Sequence, residues 1–250
     1  MNNWTQGKVI TRRQWTDKLV TLQVEADIAP FTAGQFTRLA LDIDGERVAR
    51  PYSFVNAPHE QPLEFYFVVV PGGALSPRLA ALHKGDSVWV ATQASGFFVL
   101  DEVPPAGNLW CLATGTGLGV FLSILATDEP WQRFRHVVLV HGVRHGSDLS
   151  YEDKLAQFAA AHPRQFHMIP VVSREATPGA LQGRIPALIE EGTLEAQCGV
   201  PLSRDTSQVM ICGNPAMVKD TCAVLAQRDM QRNRRSAPGH VTTENYWRIK

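Results

Sequence analysis

Four short stretches of the 250-residue chain place residue types where they can do chemistry. "LATGTGLGV" (112–120) has glycines at 115, 117 and 119, after one apolar run and before another. Glycines there let the main chain approach a ligand closely. A helix starting beyond them turns free N–H groups and partial positive charge toward a phosphate. The spacing is G-x-G-x-G and not the dinucleotide fingerprint G-x-G-x-x-G, so alone it is as readily a structural turn. "CGNPAM" (212–217) repeats the arrangement, strand end into helix, which is where open α/β sheets bind ligands. In "PGGALSPRL" (71–79) two glycines precede Ser76, a good N-cap, and Pro77, suited to the first helical position. That geometry cradles a pyrophosphate, although a capped helix after a turn is common without a ligand. "RVARPYSFVN" (47–56) sets a cation, an aromatic plate and a hydroxyl, Arg50, Tyr52 and Ser53, in a segment that otherwise reads as a strand. Pro51 suits an edge strand with a solvated face; the alternative is a strand lying along a bound cofactor.

The elements that must position these residues change character near residue 100. Before it, "GKVITRRQW", "LVTLQVEA", "QFTRLALDI", "RVARPYSFV", "LEFYFVVV" and "DSVWVATQ" are β-formers separated by turn residues at hairpin spacing. They predict an antiparallel barrel or sandwich, interrupted by one helix in "SPRLAALHKG" that ends at Gly85. After it, the apolar runs "LWCLA", "HVVLVHGV", "FHMIPVVS" and "QVMICG" alternate with helical stretches, clearest in "VFLSILAT", "LSYEDKLAQFAAA", "IPALIEEG" and "AMVKDTCAVLAQRDMQ". That pattern predicts an α/β domain with a parallel sheet covered on both faces. "DEVPPAGN" (101–108) reads as the linker, giving domains 1–100 and 101–250.

Composition bounds the partners. Basic and acidic residues balance at 24 each, so no bulk field points to nucleic acid or a membrane surface. No run approaches the roughly 18 apolar residues of a membrane span, and the start lacks a signal-peptide core. The four cysteines show no CxxC pair or finger-like histidine spacing, so no metal or built-in iron–sulfur cluster is expected. A soluble cytoplasmic protein with reduced thiols is the expectation.

"RPYS" (50–53), "GALS" (73–76), "GTGLG" (115–119), "CGNP" (212–215) and "ENYW" (244–247) stand in the order seen in the ferredoxin/flavodoxin–NADP reductase family, which the chain resembles over essentially its whole length. The resemblance is greatest to its bacterial subclass. It implies an FAD-binding β-barrel followed by an NADP(H)-binding α/β domain, and electron transfer between NADPH and a ferredoxin or flavodoxin. In that transfer a hydride passes to the flavin and single electrons pass to the carrier. It further implies that Arg50 meets the flavin pyrophosphate, with Pro51 in the same strand, that Tyr52 packs on the ring and that Ser53 reaches its reactive nitrogen. Phe67, Val68 and Val69 line the flavin, Ala74, Leu75 and Ser76 donate N–H groups to the pyrophosphate, and Thr116 touches the ring. Tyr246 or Trp247 covers the flavin face, although the chain continues beyond the family's aromatic with Arg248, Ile249 and Lys250.

For the nucleotide, the resemblance implies contacts at Gly115, Thr116, Gly117, Val143, Arg144, Ser173, Arg174, Arg184, Gly213, Asn214, Pro215 and Ala216. Cys212 sits beside the nicotinamide, and Glu244 is a candidate proton relay. The coenzyme has a physical argument of its own. NAD-specific sites place an acid about 20 residues after the glycine loop to hold the ribose hydroxyl. Here "HVVLVHGVR" ends at Arg144, a second strand ends in Ser173 and Arg174, and Arg184 follows. Three guanidiniums and a hydroxyl suit a phosphate, hence NADPH. His141 reads as a satisfied histidine near the cleft, Cys111, Cys198 and Cys222 as structural, and Phe65 and Tyr66 as core and rim. Arg228, Arg232, Arg234 and Arg235 read as a solvated helix face that, with Arg12 and Arg13, is able to steer an acidic carrier. A monomer is expected. The rival readings are an oxygenase reductase component and a non-catalytic flavin or nucleotide sensor on the same fold.

Overall fold

The computed structural model describes residues 3–245; Tyr246, Trp247 and the three residues after them lie outside the described residues. The chain divides into two compact units, 1–99 with 119–127, and 100–118 with 128–250.

The first unit is a six-stranded antiparallel sheet curled around its own core. Its strands are β1 (Trp4–Gln14), β2 (Leu19–Glu25), β3 (Phe36–Ile43), β4 (Glu46–Ser53), β5 (Leu63–Val68) and β6 (Ser87–Ala91), in the order β4-β3-β6-β1-β2-β5. Period-two alternation fills the interior: Val20, Leu22 and Val24 of β2 and Leu63, Phe65 and Phe67 of β5 are buried, joined by Phe54 stacked on Phe31. The β3–β4 hairpin turns at Asp44 and Gly45, both at positive φ, the Asp-Gly signature of a two-residue turn whose twist matches the strands. β4 is an edge strand, and Pro51 is tolerated there because no further strand needs its missing N–H.

Two helices complete this unit. α1 (Ser76–Ala80) is one turn long and stops well short of Gly85. Its N-cap is Leu75, not Ser76 as the sequence predicts; the Ser76 hydroxyl instead accepts the Val70 N–H at 3.0 Å, closing the 70–76 loop. α2 (Leu118–Leu125), which follows the first glycine turn, packs from Gly119 onward with the barrel rather than with the sheet that precedes it. Its Ser123 hydroxyl donates to the Asn56 carbonyl at 2.7 Å, and Phe121 meets the edge of Phe98.

The second unit is a parallel sheet of β7 (Asn108–Thr114), β8 (His136–Val143), β9 (Phe166–Val172), the short β10 (Leu181–Gln182), β11 (Ser207–Gly213) and β12 (Val241–Asn245). The order β10-β9-β8-β7-β11-β12 shows the chain moving outward from β7 and then returning to its other side as β11. The neighbouring C-terminal ends of β7 and β11 are therefore the topological switch point, the ligand position of open α/β sheets. The helices are α3 (Glu129–Arg133), α4 (Glu152–Ala161), α5 (Ile185–Glu190), α6 (Thr193–Cys198) and α7 (Pro215–Ala226). One sheet face buries Trp110, Leu112, Val138, Val140, Val209 and Ile211 against Ile189, Leu194, Val218 and Leu225. α3, α6, β10 and β12 carry no periodic pattern long enough to read beforehand. The expected linker is a 3-10 turn (Leu100–Glu102) and a short irregular stretch, held by Arg133, whose guanidinium donates to the Leu100 and Val103 carbonyls. No described helix is long and apolar enough to cross a membrane.

Candidate functional site

In the barrel unit, the candidate flavin residues gather on β4, β5 and the loop leading into α1. Arg50 and Tyr52 are two apart on β4 and share a face, while Pro51 and Ser53 point to the other. Arg50 is exposed; its guanidinium donates to its neighbour's Ala49 carbonyl and meets no acid among the described residues. Tyr52 leans edge-on against Phe67, ring centroids 5.5 Å apart, and burial pushes its hydroxyl up to about 12, so it stays a neutral phenol at any working pH. Phe67 is a core residue, and Val68 and Val69 are half-buried beside it. Phe65 and Tyr66 are both core. Around Gly72, at φ +71, even an added methyl would meet open space, and Ala74 beyond it is exposed. The N–H groups opening α1 have no intrahelical acceptor, which leaves them available to an anion. A guanidinium with no acidic partner among the described residues, the N–H groups that open a helix and a flat aromatic wall fit a flavin with a pyrophosphate.

In the second unit, the two glycine turns interlock at the switch point. An added Cβ on Gly117 would stand 2.4 Å from the Cys212 carbonyl oxygen, and one on Gly213, at φ +146, would stand 2.2 Å from Thr114 Oγ1. No side chain fits either place. The Thr114 hydroxyl accepts the Asn214 N–H at 2.9 Å, and the Asn214 side chain caps α7 through the Ala216 N–H, with Pro215 in the first turn. Thr114 was not among the expected residues; a threonine at a strand end carries no signal until the second turn is seen beside it.

Strand register aligns a further row of residues across this sheet. His141, Ala113, Cys212 and Glu244 are successive partners on β8, β7, β11 and β12. Parallel partners share a face, so two small residues lie between two titratable ones. His141 is fully buried; Nε2 lies 3.1 Å from the Gly115 carbonyl, which only accepts, so that nitrogen carries the proton. Burial pushes His141 down to about 4, against the pull of the Gly115 bond, and Nδ1 has no hydrogen-bond partner among the described residues. The expected satisfied histidine is therefore only half satisfied. Glu244 Oε2 is likewise buried, with no hydrogen-bond partner among the described residues, and burial raises its carboxyl to about 7. Cys212 is buried, as is Cys111, whose thiol is pushed well up by burial.

Val143 ends β8 and is buried; beyond it the strand tips carry exposed cations. Arg144, Arg174 and Arg184 are all exposed, and none forms an ion pair or side-chain hydrogen bond among the described residues. The Arg174 N–H donates to the Arg144 carbonyl at 3.0 Å, so two of the three sit on laced loops. The Ser173 hydroxyl proton is given to the Val143 carbonyl at 3.1 Å, leaving its oxygen as an acceptor only. A direct bond from it to a phosphate requires the hydroxyl to turn.

Comparison with known proteins agrees with both halves. Residues 14–97 match the model of the oxidoreductase FAD-binding domain, and residues 111–223 that of the oxidoreductase NAD-binding domain. The flavodoxin/ferredoxin–NADP reductase of Escherichia coli is 52% identical over 248 residues, covering 99% of this chain and 100% of that protein. The chain belongs to the flavodoxin/ferredoxin–NADP reductase family. Another relative is the ferredoxin–NADP reductase of Pseudomonas aeruginosa, 34% identical with 90% of each chain covered. A solved ferredoxin–NADP+ reductase from Neisseria gonorrhoeae, with bound FAD and NADP, superimposes with a TM-score of 0.94 at 34% identity, covering 99% of this chain and 100% of that one.

One expectation for this reductase chain needs correction. The basic run is not a helix face, because α7 ends at Ala226. Arg228 is an internal tie: it pairs with Glu195 at 2.7 Å and donates to the Leu202 and Ile189 carbonyls. Arg235 forms a two-pronged pair with Glu102, and Arg232 donates to Thr243. Arg228 is thereby removed from any steering set.

Proposed function

We propose that this chain is an FAD-dependent oxidoreductase that transfers electrons between NADPH and ferredoxin or flavodoxin, acting as a cytoplasmic monomer. Residues 1–100 supply its flavin domain and residues 101–250 its nucleotide domain, with residues 119–127 of that second stretch packing in the compact unit of the barrel. The full-length match to flavodoxin/ferredoxin–NADP reductases carries this reading, and four cysteines that form no disulfide among the described residues suit a reducing compartment. When bound, the flavin supplies the exchange between paired electrons from NADPH and single electrons for the carrier.

The residues hold, orient and exclude. Arg50 and the N–H groups of Ala74, Leu75 and Ser76 neutralise the pyrophosphate, while Tyr52 gives the ring a flat wall backed by Phe67. Ser53 offers a hydroxyl at the ring, and Thr116 stands at the glycine turn. Gly115, Gly117, Gly213 and Asn214 bring main chain against the nucleotide, their spacing fixed by the Thr114 and Cys212 contacts. The buried, small Cys212 leaves room for a flat ring, and Glu244 beside it, raised to about 7 by burial, can take up or release a proton near neutral pH. Arg144, Arg174 and Arg184 take the 2′-phosphate that distinguishes NADPH from NADH. Tyr246 and Trp247 are the candidates for covering the flavin.

The test is direct. The purified protein should be yellow with FAD, and should reduce ferredoxin or flavodoxin with NADPH far faster than with NADH. A protein that binds both cofactors without turnover is a sensor, and one that reduces only an oxygenase component is that system's reductase. Arg174→Glu, or removal of Arg144 and Arg184, should raise KM for NADPH far more than for NADH. Equal use of both coenzymes by the wild type places the phosphate site wrongly.

A further inference from the structure

The arginine rim of the nucleotide unit contains an electrostatic problem. Glu175 follows Arg174 in the chain, and a carboxylate so close readily pairs with a guanidinium and cancels the charge an anion needs. It does not do so. Glu175 Oε1 accepts the Gly146 N–H at 2.8 Å, and Oε2 lies 3.3 Å from His145 Nδ1. The Gly146 bond, then His145, holds this carboxyl below the ordinary glutamate range. Gly146 is pressed so closely on the next loop that an added Cβ would stand 2.9 Å from Thr177 Oγ1. The Arg174 N–H meanwhile donates to the Arg144 carbonyl at 3.0 Å, so the loops after β8 and β9 are tied at two points.

We propose that Glu175 is a positioning residue for recognition of the coenzyme's 2′-phosphate. By engaging Gly146 and His145 instead of Arg174, it fixes the loop that carries Arg144 and leaves both guanidiniums open to the dianion. This rests on the reading of Arg144 and Arg174 as the phosphate site. A side chain that merely held the loop would alter NADPH and NADH alike, whereas one that keeps the arginines open acts on the phosphorylated coenzyme alone.

The test uses the FAD-loaded protein, calorimetric titration with adenosine 2′,5′-bisphosphate, and steady-state kinetics with each coenzyme. Glu175→Ala should weaken bisphosphate binding and raise KM for NADPH, each by roughly tenfold for one charge-assisted bond, with kcat and the NADH constants unchanged. Glu175→Gln, whose amide oxygen can still accept the Gly146 N–H, should restore most of that loss. Unchanged or tighter bisphosphate binding by the alanine variant overturns the proposal, tighter binding meaning that the carboxylate only repels phosphate. An equal loss for NADH overturns it too. Arg174→Ala separates this idea from its parent. If that variant keeps full bisphosphate affinity, the phosphate site is misplaced and both readings fall; if it loses affinity while Glu175→Ala does not, only the role of Glu175 falls.

Discussion

The two candidate sites are built on opposite plans. On β4 of the barrel, recognition groups stand on an exposed edge and are left unspent, Arg50 most plainly, with no acid among the described residues. At the β7–β11 switch point, the turns are spent on each other: Gly117 lies on Cys212, Gly213 on Thr114, and Asn214 caps α7. An open strand binds through the strength of its charges, so its variants should lose affinity in single-contact steps. An interlocked turn binds through its shape, so its variants should fail steeply.

The steepest failure belongs to Gly117→Ala. Its methyl would press on backbone at Cys212, which cannot swing aside as a side chain can. Overpacking of this kind costs up to about 3 kcal/mol, roughly a hundredfold in nucleotide affinity if the turn gives way. NADPH titration of the FAD-loaded variant measures it; retained NADPH affinity would mean the turns are looser than the geometry implies. Next is Glu244, whose burial raises its carboxyl from 4.5 to about 7. The folded state then binds a proton the unfolded chain has released. The contribution is complete below pH 4.5 and is lost as pH rises through 7, at most about 3 kcal/mol. Glu244→Gln should therefore gain stability relative to the wild type as pH rises from 5 to 8. Parallel denaturant midpoints across that range would show that Glu244 titrates normally.

Arg50→Ala is the corresponding break in the open strand. Losing one charge-assisted contact costs about 1.5–3 kcal/mol, so FAD should dissociate roughly ten to a hundred times more readily while the apoprotein keeps its melting temperature. Fluorescence of released flavin reads the first and circular dichroism the second. A fall in melting temperature of the apoprotein would make Arg50 a structural residue and erase the contrast between the two plans.

How much of this was legible in the sequence follows from the same contrast. β2 and β5 declare themselves because they are rich in β-branched and aromatic residues between turn residues, and β7, β8 and β11 because strands buried on both faces read as continuous apolar runs. The Asp44–Gly45 turn is equally plain. What escaped were features made by neighbours distant in the chain. Thr114 matters only because Gly213 returns beside it a hundred residues later. The Ser76 hydroxyl turned back to Val70 rather than capping α1, a choice set by how the loop folds. Arg228 looked like one of several surface cations, yet three partners on α5, on α6 and in the loop after α6 claim it. α2 follows the nucleotide turn in sequence but packs with the barrel from Gly119 onward, because its side chains find Asn56 and Phe98 there. Glycine motifs and strand-end arginines were readable because their chemistry is local.

The smallest effect asks which unit presents charge to the electron carrier. Arg12 and Arg13 of the barrel are exposed; Arg12 donates to the Ala80 carbonyl at 2.5 Å and Arg13 lies over the Trp15 ring at 3.6 Å, and neither arrangement neutralises the cation. Arg234 of the second unit is exposed and forms no ion pair among the described residues, whereas Arg228 and Arg235 are committed to Glu195 and Glu102. Exposed charges are screened over about 8 Å at physiological salt, so electron transfer to an acidic carrier should slow as salt rises, while transfer to a small dye changes less. Arg12→Ala with Arg13→Ala should flatten that salt dependence, by about threefold in low-salt rate per arginine, if the barrel carries the surface. Arg234→Ala should do so if the second unit carries it. Arg228→Ala should leave the slope alone and lower the melting temperature instead, since it strips the tie from α5 and α6. Should carrier and dye respond to salt equally, charge steering plays no part and the carrier must be held by apolar contact.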